Sequence, residues 1–127
     1  MVFIGMSFLD ENKRGKVSEF VKFVKKELQL EKCPTVVLQN GRGKLKTTAA
    51  YNYSNEEKFV KINVKNRALV DILRSIAHEM VHHKQFEQGR LKVKPADIGG
   101  DIEDEANSKA GQYIKLFAQM DETIYDE

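Results

Sequence analysis

Three stretches of the chain place apolar residues at three- and four-residue steps, the period of a helix with one buried side. In residues 17–30, Val17, Phe20, Val21, Val24 and Leu28 share a side, with Lys22, Lys25, Lys26 and Glu27 between them. Residues 67–88 carry Leu69, Ile72, Leu73, Ile76 and Met80 on one stripe, and Gly89 follows as a suitable stop. A third helix is expected from about residue 101 to 120, with Asp101 as its cap and Glu103, Ala106, Ala110 and Ile114 on its inward side. Between the first two helices the period changes to two. Val60, Ile62 and Val64 alternate with Lys61, Asn63 and Lys65, which predicts a strand with one buried and one wet face. The run Val36-Val37-Leu38, closed by the turn signal Asn40-Gly41, predicts another strand, and residues 47–53 supply a third candidate. Residues 90–100, with Pro95 and the pair Gly99-Gly100, read as a connecting loop. The order helix, three strands, helix, helix describes an α+β domain with a three-stranded, mostly antiparallel sheet. The acidic end DETIYDE, within about residues 118–127, reads as a solvated tail.

Composition narrows the classes. A chain of 127 residues that is 41% apolar suits one domain with a single core. Its 21 basic and 19 acidic residues leave a net charge of +2, so no global field draws it to nucleic acid or an anionic membrane. The bases Arg42, Lys44, Lys46, Arg90, Lys92 and Lys94 flank loops without interleaved aromatics, and nucleic acid is not the expected partner. The lysines of the first helix read as its solvated face. The one cysteine, Cys33, can form neither an internal disulfide nor a paired-cysteine zinc site. The opening MVFIGMSFLDE lacks the features of a secretory leader, and no segment is apolar for long enough to span a bilayer. The expectation is a soluble cytoplasmic protein.

The chemistry lies in the second helix. His78-Glu79-Met80-Val81-His82 is an H-E-x-x-H pattern, in which two histidines four apart project from the same side. Two imidazoles can grip one zinc ion at about 2.0–2.1 Å, and a catalytic site adds a third protein ligand while leaving a fourth position to water. Glu79 adjoins that position and can act as the base that takes a proton from the water. At about 100° per residue, His78 and His82 fall opposite the apolar stripe, which argues against their being ordinary core histidines. His83 projects close to the stripe and reads as a packing residue or a support to the ligands.

A third ligand is expected downstream, where Ile102-Glu103-Asp104-Glu105-Ala106-Asn107 offers three acids at a helix start. Acids in a first turn also complement the helix dipole without any ligand role. Helical projection favours Glu103, on the inward stripe, with Glu105 as the alternative. Asn107, four residues on, could accept a ring N–H from a liganding histidine and fix its tautomer, and the small Ala106 and Ala110 would let this helix approach the metal helix closely. Tyr113 lies on the same stripe and reads as core.

H-E-M-V-H followed by E-D-E-A-N resembles the gluzincin metallopeptidases, especially the compact ImmA/IrrE-type domains and small phage-encoded peptidase-like proteins. The resemblance covers residues 58–117. It implies a minimal zincin-like fold with a cleft along a strand edge, one Zn2+ per chain held by His78, His82 and Glu103, Asn107 supporting them, and Glu79 as catalytic base. The implied function is zinc-dependent endopeptidase action on a protein or peptide substrate, in the host cytoplasm if the chain is phage-encoded. The alternative is a catalytically weak or inactive protein-binding module that keeps zinc for stability. Retention of Glu79, which metal binding does not require, favours catalysis.

Overall fold

A computed structural model describes residues 2–41, 48–53, 57–91 and 100–126. Its sheet has four strands, β1 (Phe3–Ile4), β2 (Thr35–Gln39), β3 (Ala49–Asn52) and β4 (Phe59–Asn63), in the order β1-β2-β4-β3. β1 and β4 both pair parallel with β2, and only β3 runs antiparallel, against β4. The expected three-stranded, mostly antiparallel sheet is therefore corrected to a four-stranded mixed one. The cause is long-range. After β2 the chain passes to the outer edge, runs back as β3, and then inserts β4 between the two, parallel to β2. The Val36–Val60 and Leu38–Ile62 pairs set this register, since all four side chains are buried on one face and a one-residue slip would turn them to solvent. Asn63 secures the ends of β2 and β4, because its Oδ1 accepts from the backbone N–H of Gly41 at 2.9 Å and of Lys65 at 3.0 Å.

β1 comes from the opening apolar run and is too short for a period to reveal. Gly5 follows it with φ +86°, and a Cβ there would collide with the carbonyl oxygen of Leu38. Only glycine combines that backbone with so close a neighbour.

Helix α1 (Glu11–Leu28) begins earlier than its apolar period indicates. Asp10 caps it, accepting from Lys13 N at 2.9 Å, and Gln29 ends it in the left-handed region at φ 53°. Helix α2 (Leu69–Glu87) buries Leu69, Ile72, Leu73, Ile76 and Met80 as its period predicts. No side chain caps its first turn, but Arg67 staples the segment, donating to the carbonyls of Asn63 and Asp71 and to Ser75 Oγ. Helix α3 (Asp101–Met120) has Gly100, rather than Asp101, at its cap position. It packs along α2 through Ala106 and Ala110, both almost fully buried. The histidine face of α2, opposite the sheet side, is thus partly covered by α3, with His78 and Glu103 left half-buried.

The acidic end is not simply a solvated tail. After α3 a short 3-10 turn (Glu122–Asp126) sends Ile124 into the core with no exposed surface. Lys16 on α1 anchors the turn through Asp121 Oδ2 at 2.7 Å and Thr123 Oγ1 at 2.5 Å. One buried isoleucine decides the outcome against five flanking polar or charged positions, because its burial is worth about 1.5–3 kcal/mol. Among the described residues no helix is long and apolar enough to cross a membrane. Arg42, Lys44, Lys46, Lys92 and Lys94 of the basic loops, Thr47 of the predicted second strand, and residues 92–99 of the connecting loop lie outside the described residues.

Candidate metal centre

His78 and His82 stand one helical turn apart on α2, with their Nε2 atoms 3.2 Å from each other. Glu103, in the first turn of α3, reaches across to both. Its Oε2 lies 3.0 Å from His78 Nε2 and its Oε1 lies 3.0 Å from His82 Nε2. Four donors arranged tetrahedrally at zinc–nitrogen distances stand roughly 3.3 Å from one another. The two nitrogens and the carboxylate that spans them with its two oxygens therefore stand at spacings close to those of a shared coordination shell.

Proton bookkeeping supports a cation between them. Gln85 Nε2 faces two acceptors, Ile102 O at 3.0 Å and Glu105 Oε1 at 2.9 Å, so its amide oxygen is the atom 2.7 Å from His82 Nδ1. His82 Nδ1 must then donate, which turns Nε2 toward His78 and Glu103. Two imidazole nitrogens in mutual contact with an ionised carboxylate cannot all be matched donor to acceptor, because whichever rings carry protons, one contact pairs like with like. A divalent cation satisfies all three at once.

Glu79 completes the group. It is 6% exposed, and with His78 and His82 it offers ligand atoms all within 4.8 Å, an arrangement that could hold a metal ion. Its carboxylate accepts no hydrogen bond among the described residues, and burial first, then the charge of Glu103, pushes it up to about 8. His78 is held below its ordinary value by burial and by the neighbouring His82, against the opposing pull of Glu103 and of a hydrogen bond with Asn107. Asn107 thus sits beside the ring it was expected to support.

The competing acid points elsewhere. Glu105 Oε1 accepts from Gln85 Nε2 and from Arg90 Nη1, each at 2.9 Å, and these hydrogen bonds hold its carboxyl below the usual range despite the desolvation that opposes them. Arg90 is accordingly a partner of Glu105 rather than a free base. His83 is a packing residue. Its Nε2 donates to Lys32 O at 2.6 Å, its Nδ1 accepts from Tyr51 of β3 at 2.6 Å, and burial lowers its pKa. Tyr113 stacks edge-on against Phe23 of α1 and belongs to the core. Gln85 is the residue that sequence reasoning passes over. Its one signal is a polar side chain three positions after His82, on the same side of the helix.

Comparison with protein families, with curated proteins and with solved structures finds no match for this chain.

Proposed function

We propose that the chain is a zinc-dependent endopeptidase in which His78, His82 and Glu103 hold one ion and Glu79 is the general base. The observation that carries the reading is the convergence of His78 Nε2, His82 Nε2 and the Glu103 carboxylate at 3.0–3.2 Å, beside a buried Glu79 carboxylate that accepts no hydrogen bond among the described residues. Zinc bound there would supply Lewis acidity, both to a substrate carbonyl and to a water whose pKa it brings to about 7.

The chain's own groups do the rest. Glu79 takes a proton from the attacking water and delivers it to the leaving amine. His82, 1% exposed and held by Gln85, keeps a fixed orientation through the cycle. β3 stands last in the strand order and packs on α2, so an extended peptide would lie along the site beside this end of the sheet.

Glu79→Gln tests the assignment. The variant should bind zinc as the wild type does and cleave an unfolded protein substrate roughly 10²–10⁴-fold more slowly. Equal cleavage by the variant would remove Glu79 from the reaction. Zinc-loaded wild type that cleaves nothing in a diverse peptide library would favour the binding module instead.

A further inference from the structure

Gln85 is completely buried, yet both of its donors and its carbonyl oxygen have partners. Its Oε1 accepts from His82 Nδ1 at 2.7 Å, and its Nε2 donates to Ile102 O at 3.0 Å and to Glu105 Oε1 at 2.9 Å. Ile102 O belongs to the peptide bond that leads into Glu103. One side chain on α2 therefore grips the ring of one candidate ligand and the backbone beside another, across the junction of the two helices. From outside, Arg90 Nη1 holds Glu105 at 2.9 Å, so the carboxylate that receives Gln85 is itself fixed.

The pattern demands an amide. One acceptor must face His82 while two donors face α3, and no other side chain of this length offers that combination. A carboxylate in the same place would satisfy His82 but would confront Ile102 O and Glu105 with an acceptor. An apolar side chain would satisfy neither helix.

We propose that Gln85 is the positioning residue of the metal centre: it fixes His82 as the Nδ1–H tautomer, aiming the Nε2 lone pair at the ion. The inference rests on the reading of His78, His82 and Glu103 as a metal site. A support of this kind commonly changes metal affinity by roughly 10–100-fold when removed.

Two measurements test it. The first is the tautomer of His82 in metal-free wild type, from long-range ¹H–¹⁵N correlation of the histidine rings. The expected pattern is Nδ1–H with an unprotonated Nε2, and an Nε2–H tautomer would overturn the proposal whatever any variant does. The second is zinc affinity by competition with a chromophoric chelator, for wild type, Gln85→Leu and Gln85→Glu, each first shown to be folded by circular dichroism. Gln85→Leu should bind zinc roughly 10–100-fold more weakly. Gln85→Glu should stay within about threefold of wild type, because its carboxylate still accepts from His82, while melting at a lower temperature for want of its donors to α3.

That split separates ring positioning from a merely structural clasp, which would make both variants lose affinity in step with their loss of stability. Parallel losses, or wild-type affinity in Gln85→Leu, would overturn the role assigned to Gln85 and leave the metal centre standing. Folded wild type that binds no zinc would instead overturn the metal centre, and this inference with it.

Discussion

At the scale of single residues, the two candidate ligand acids of α3, Glu103 and Glu105, separate cleanly. Glu103 faces both histidine Nε2 atoms, whereas Glu105 is committed to Gln85 and Arg90. Glu103→Ala should abolish stoichiometric zinc binding in equilibrium dialysis, and Glu105→Ala should retain it with an affinity loss of about tenfold or less. Metal lost from the second variant and kept by the first would exchange their roles. His78, Glu79 and His82 were legible in the sequence because H-E-x-x-H is a local pattern whose meaning needs only helical spacing. Glu103 needed a projection of the inward stripe, and Glu105 stayed open until its partners were visible. Gln85 was not legible, since its role depends on Ile102 and Glu105, which lie on another helix.

Elements show the same division between local and long-range information. The buried sides of α1 and α2 follow directly from their apolar periods, and β4 from its alternation. The beginning of α1 does not, because Asp10 caps a first turn of polar residues that carry no stripe. Asp10→Ala should cost about 0.5–2 kcal/mol in denaturant unfolding, and no change would show that another group caps the turn. Parallel pairing of β2 with β4 was hidden because it depends on where β3 goes between them. The junction of β1 and the rest makes a sharper prediction. At Gly5 both a φ of +86° and the nearby Leu38 carbonyl exclude a Cβ, so Gly5→Ala should destabilise the fold by more than the roughly 1 kcal/mol of a left-handed backbone alone. A melting temperature equal to that of wild type would refute this placement of β1.

For the molecule as a whole, the candidate ligands come from helices that separate on unfolding, so the ion should bind the folded chain and stabilise it. At a free zinc concentration a hundredfold above Kd, the gain is about 2.7 kcal/mol. For a domain of this size the melting temperature should rise by roughly 8–14 °C and fall back on addition of a chelator. Zinc that leaves the melting temperature of wild type unchanged would mean that the site does not form as described. His78→Ala should lose most of the shift. The overall organisation, one α+β unit with an H-E-x-x-H helix packed on a helix bearing Glu103, was largely legible because both motifs lie in strongly periodic segments. The burial of Ile124 was not, because a lone apolar residue in an acidic segment has no period to announce it.

X-ray absorption at the zinc edge of the protein loaded with one equivalent asks directly whether the two helices share an ion. The account predicts a four-coordinate nitrogen and oxygen shell at about 2.0–2.1 Å with outer-shell scattering from two imidazoles, lost in His82→Ala. A shell of oxygen alone, or one containing sulfur from Cys33, would contradict it.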